Sequence, residues 1–187
     1  MNRRTTLDLT VFCSLVGLGI ATRLVMFHPN FHAVTAAALL AGVYFRNRAV
    51  AACVPLVTMT LSNYLIGGYS REVMIAVYAA LVLPIAAREM LSRRLSRGLV
   101  SLGSGVAASA VVSSLLFYLV TNAAVWHAGI WYPRSWEGVA RCYTAALPFL
   151  GYALAGDLLF SLGMFGAYAV ALRLTGAPQT TLATNAA

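Results

Sequence analysis

The chain has 187 residues, of which 60% are hydrophobic and only 10% charged, where a soluble domain carries about 25% charged residues. With a mean hydropathy of +0.80, this excludes a water-soluble globular enzyme, a disordered chain and a secreted disulfide scaffold. It leaves room for one bundle of about six spanning helices at ~20 residues each. All 13 basic residues are arginines, giving a net charge of +8. They fall in small clusters between apolar runs, with no stripe of stacking aromatics, so they read as topology signals and not as a nucleic-acid surface.

Uninterrupted apolar stretches predict spans at about 7–27, 31–45, 49–66, 73–87, 98–125 and 143–172. The expected fold is all-α: a polytopic membrane bundle of six transmembrane helices, with residues 1–175 as one domain and 176–187 as a flexible tail. The second and fourth stretches are short for ~30 Å of hydrocarbon. They must extend into their flanks, sit in thin bilayer or lie partly inside the bundle. Arg3, Arg4, Arg46, Arg48, Arg88, Arg93, Arg94, Arg97 and Arg173 fall on one side, against Arg71, Arg134 and Arg141 on the other. This bias is expected to place both termini in the cytoplasm. The first run exceeds a typical signal-peptide core and no small-x-small site follows it, so it is expected to stay as the first span.

Arg23 lies near the outer end of the first span. Either it snorkels to the interface, or it points into an outward pocket and grips a carboxylate or carbonyl of a ligand. The connection His28-Pro29-Asn30 must be a sharp reversal, because proline favours a helix start and restricts the residue before it. His28 and His32 are four apart and His127 lies in another outer segment. A three-histidine metal site is not expected, since Pro29 starts the helix after His28 and no carboxylate joins by spacing. Asn63, near the outer end of the third span, either bonds across helices or lines a pocket.

The segment 121–143 carries all three tryptophans, Trp126, Trp131 and Trp136, with Asn122, Tyr132 and Glu137 among them. An interfacial aromatic belt explains part of this cluster; a lid over a small organic ligand explains its concentration in one outer loop. Glu137 and Arg141 are spaced as an i,i+4 pair behind a Ser135 cap. They predict a short interfacial helix ahead of Pro148, where the last span begins or kinks. Asp157 falls in mid-span, either fixing helix packing or serving function. Pro55, Pro84 and Pro148 each free a carbonyl one turn earlier. Cys13, Cys53 and Cys142 lack metal or redox spacing, and no catalytic constellation or cofactor motif is present, so no enzymatic activity is expected.

The segments HPNFHAVTAAALLAGVYF, VPLVTMTLSNYLIGGY, TNAAVWHAGIWYPRSWEGVARCYTAALPF and GDLLFS together resemble a family of uncharacterised bacterial six-helix membrane proteins, a domain of unknown function. The resemblance spans about 28–171 and departs at His32, Asn63 and 150–152. That family is in turn similar in size and span count to substrate-binding components of energy-coupling-factor transporters. The resemblance implies an outward pocket closed by the connections after the first, third and fifth spans, which here means His28, Asn30, Asn63, Asn122, Trp126, Trp131 and Tyr132. It also implies a coupling membrane subunit and ATPases as partners, docked through small residues of the first helix, here Gly17 and Ala21. The expected function is capture of a small molecule, a vitamin or micronutrient. In this reading Arg23 and Asn30 orient its polar groups, the 126–136 segment covers its apolar body and Asp157 organises the deeper bundle. The alternative is an accessory structural subunit of a larger membrane complex, held by small-residue helix faces.

Overall fold

A computed structural model describes residues 2–25 and 28–175, and every regular element among them is helical. In chain order these are α1 (Arg3–Val25), α2 (Val34–Tyr44), α3 (Arg48–Ile66), α4 (Arg71–Val82), a 3-10 segment (Leu83–Ala87), α5 (Arg88–Arg97), α6 (Leu99–Ala128) and α7 (Trp136–Thr175). Local chemistry sets the ends. Asn47 caps α3 by accepting from the Ala49 N–H at 2.8 Å, and Gly129, at φ 67, ends α6 in the left-handed conformation that glycine adopts without strain. Pro84 cannot donate to the ladder, and there the helix tightens into the 3-10 segment that joins α4 to α5.

Five stretches are long and apolar enough to cross a membrane: Arg4–Val25, Arg48–Ile66, Arg71–Arg97, Leu99–Ala128 and Trp136–Thr175. The sixth helix, α2, has only 11 residues. Of the two stretches expected to be short, one extends and the other is enclosed. The fourth runs on through Pro84 to Arg97, whereas α2 lies inside the bundle with Val34 to Val43 all buried. Its small residues Ala36, Ala37, Ala38, Ala41 and Gly42 let the other helices close around it. Gly42 backs directly onto Ile85, whose Cα lies 3.2 Å from where a Cβ would stand.

Two boundaries around the last outer connection differ from the hydropathy reading. α6 continues to Ala128, so the outer connection that follows is short. α7 starts at Trp136 and runs 40 residues with Pro148 inside it, so no separate interfacial helix precedes the last span. The reason is local. Ser135 accepts from the Gly138 N–H at 3.2 Å and starts a helix that residues 137–141 continue, although the charges of Glu137 and Arg141 hide it from a hydropathy window. Residues 176–187, expected to form a tail, lie outside the described residues.

The main core joins Leu39, Leu40 and Val43 of α2 to Leu15, Val16, Val54, Ile85, Leu91, Val106 and Phe165. A second cluster of Val34, Met59, Val73, Val77 and Leu81 packs with Phe117 and Val125. Outward faces are equally apolar: Leu7, Ile75, Leu119, Leu159 and Val170 are all at least half exposed. Apolar surface of this extent marks a face that meets a membrane or a partner.

Candidate functional site

The second cluster is one wall of a cavity of about 440 Å³, within the range of small-molecule sites. Val73, Val77 and Leu81 of α4 face Phe117, Thr121 and Val125 of α6, with Ala146, Phe149 and Ala153 of α7 closing the apolar side. The polar side comes from elsewhere. Arg23 of α1 joins Asn30 and His32 from the connection after α1, Tyr69 from that after α3, and Trp131 and Tyr132 from that after α6.

The connection after α1 is held against α7 at several points. The Thr22 hydroxyl accepts from the Ala33 N–H at 3.0 Å, and the Phe31 N–H closes a turn onto the His28 carbonyl at 3.2 Å. Within that turn Asn30 takes φ 64, a conformation asparagine tolerates. The His28 ring lies 4.7 Å from Tyr152 and the Phe31 ring 5.7 Å from Phe160. Between those anchors the backbone at Phe31 and His32 crosses Gly156, where a Cβ would stand 3.2 Å from each. His32 follows directly. Its Nδ1 is buried without a partner, and burial, reinforced by the nearby Arg23 charge, pushes the imidazole down to about 4, so it is neutral at pH 7.

Arg23 is held from one side only. One Nη bonds the Ser62 hydroxyl and the other donates to Asn63 Oδ1 at 3.0 Å. The Ser62 hydroxyl donates onward to the Thr58 carbonyl at 2.6 Å, which leaves its lone pairs for the guanidinium. No carboxylate pairs with Arg23 among the described residues; the ion pairs there are Arg48–Glu89 and Arg141–Glu137. A guanidinium carries five N–H donors, so three remain for whatever occupies the cavity.

Across the cavity, α6 and α7 are locked by reciprocal tyrosines. Tyr118 donates to the Tyr143 carbonyl at 2.7 Å and Tyr143 to the Leu119 carbonyl at 2.8 Å. Thr121 and Asn122 Nδ2 donate to carbonyls of their own helix, both at 2.7 Å. Deeper, Asp157 is 3% exposed and accepts from Ser114 Oγ at 2.6 Å. Ser114 belongs to the cavity wall, so the acid stands one side chain behind it.

A family model described as a family of unknown function (DUF6580) matches residues 3–180. The chain belongs to this family. No curated protein and no solved structure matches it. The DUF6580 match takes in all seven helices, and with them every residue of the cavity wall.

Of the residues singled out in this DUF6580 sequence, Arg23, Asn30, Asn122, Trp131 and Tyr132 meet at the cavity. Asn63 and Asp157 stand one side chain behind it, bonded to Arg23 and Ser114, while His28 is exposed and packs on Tyr152, which is not part of the cavity wall. Trp126 donates from Nε1 to the Pro133 carbonyl at 3.1 Å and braces the short connection. Trp136 is 89% exposed, and Glu137 faces Arg141 at 4.0 Å on the surface. Among the described residues no three His, Cys, Asp or Glu side chains group together. Tyr69, Ser114 and Tyr118 were not anticipated. The i,i+4 series Val73, Val77, Leu81 was a readable sign of an inward α4 face, but it predicts burial as readily as a cavity wall.

Proposed function

We propose that this chain is a multi-pass protein of the bacterial cytoplasmic membrane that captures a small molecule, of the vitamin or micronutrient class, from the outer side. It acts as the substrate-binding component of an uptake transporter, like the substrate-binding components of energy-coupling-factor systems, and binds without covalent chemistry. One observation carries the reading: side chains from the connections after α1, α3 and α6 border a single amphipathic cavity. Apolar walls with a few convergent polar groups are what a small-molecule site needs. The arginine bias, nine against three, supports an orientation with those connections outside and both termini in the cytoplasm.

The test is retention. Protein transferred from native membranes into nanodiscs is stripped with organic solvent, and the released small molecules are compared by mass spectrometry with those from Ala146→Phe and Val77→Trp variants, whose side chains fill the cavity. A molecule near one equivalent in the wild type and depleted in both folded variants supports capture. The same small-molecule profile in all three removes it. Labelling of an Arg134→Cys variant in intact cells by an impermeant maleimide checks the orientation; labelling only after lysis reverses it.

A further inference from the structure

Among the described residues Arg23 is the one charged side chain on the cavity wall, on the polar side that it shares with Asn30, His32 and Tyr69. Serine and asparagine hold that guanidinium, no acid neutralises it among the described residues, and three of its N–H groups are left over. A half-buried cation in apolar surroundings is costly without a counter-charge. Beside it His32 presents a buried Nδ1 that also lacks a partner, and Asn30 completes the rim. Asp157 does not supply the missing charge, since it lies behind Ser114 and bonds to that hydroxyl.

Resting on the capture reading above, we infer that the ligand is a monocarboxylate with an apolar body, its carboxylate bound by Arg23 and its body held between Val73, Val77, Phe117 and Phe149. A planar guanidinium matches a carboxylate with two parallel N–H···O bonds. The single cation selects one negative charge, because a phosphate dianion would leave uncompensated charge in a low-dielectric site. With a carboxylate in place, the free Nδ1 of His32 gains an acceptor in its Nδ1–H tautomer.

The test pairs probes that share a body and differ in charge. Octanoate and octanamide are titrated against nanodisc-embedded protein with melting temperature as readout, and the charge of the molecule retained by the wild type is assigned by mass spectrometry. Octanoate is expected to bind at least about 10-fold more tightly than octanamide, and the retained molecule to be a monoanion. Arg23→Gln closes the gap between the probes, whereas Arg23→Lys keeps part of it. Equal or absent shifts from the two probes, a retained molecule that is neutral, cationic or multiply charged, or an undiminished gap in folded Arg23→Gln each overturn the carboxylate assignment. Capture itself survives those results as long as the cavity-filled variants lose the retained molecule. Should Arg23→Gln fail to fold, the wild-type probe pair and the retained molecule's charge decide alone.

Discussion

Gly156→Ala tests how firmly the connection after α1 is clamped to α7. An added Cβ would stand 3.2 Å from both the Phe31 Cα and the His32 backbone N, closer than ordinary van der Waals contact. Those are backbone atoms, and they have little room to retreat: Phe31 packs on Phe160, His28 on Tyr152, and Ala33 is bonded to Thr22. Overpacking of this kind costs about 1–3 kcal/mol, while replacing a helical glycine by alanine returns up to ~1 kcal/mol. Gly163 lies on the same helix with nothing within 4 Å of its Cβ position, so Gly163→Ala receives only the gain. The two alanine variants should therefore differ by about 1–3 kcal/mol, with Gly156→Ala the weaker. In thermal unfolding in detergent this is a gap of roughly 2–12 °C at 2–4 °C per kcal/mol for a chain of this size. A Gly156→Ala protein that melts at or above Gly163→Ala would refute the clamp.

Further outcomes follow from single contacts. His32 titrates near 4 in the fold against 6.5 when exposed, so below pH 6.5 the unfolded chain takes up a proton that the fold refuses. Stability should fall between pH 6.5 and 4 by up to ~3 kcal/mol, and His32→Gln should flatten that part of a melting-versus-pH curve. Ser114→Ala removes the hydroxyl that bonds Asp157 and should cost about 1–3 kcal/mol, with Ser114→Thr recovering most of it in the same melt. Cys13 and Cys53 are exposed and Cys142 is buried; maleimide should modify two thiols in mild detergent and the third only after denaturation. Arg48→Ala breaks an exposed ion pair of 2.8 Å and should change stability by less than ~1 kcal/mol, still less in high salt.

What the sequence disclosed follows from what hydropathy can sense. The five long helical stretches were legible because runs of about twenty apolar residues satisfy their backbone hydrogen bonds most simply as helices, and α2 from the shorter apolar run 31–45. The start of α7 was not, since Glu137 and Arg141 lower the local hydropathy while leaving helix geometry intact. Pro148 was read as a start or a kink of the last span because it removes one hydrogen bond; it lies inside α7, whose packing along α6 and α2 outweighs one missing donor. At the site, Arg23 and Asn30 were legible because a charge or a sharp turn at the end of a span demands an explanation. Tyr69 was not, because one tyrosine after a glycine pair resembles any interfacial residue. Asp157 was rightly marked as unusual, but only the fold places Ser114 between it and the cavity.

The hollow owes its existence to a helix that stops early. Eleven residues of α2 rise ~16 Å, while the 19 of its neighbour α3 rise ~28 Å. Over the remaining ~12 Å the centre of the bundle has no rod in it, and the irregular backbone of 28–33 covers only part of the gap. The depth of the hollow thus follows from a deficit of about two turns in one central element. Two extra turns grafted ahead of Val34 would plug the vacancy with backbone, and two fewer would let the surrounding helices collapse inward. A change in the height of this plug would change the volume of the hollow while leaving the outer five rods as they are.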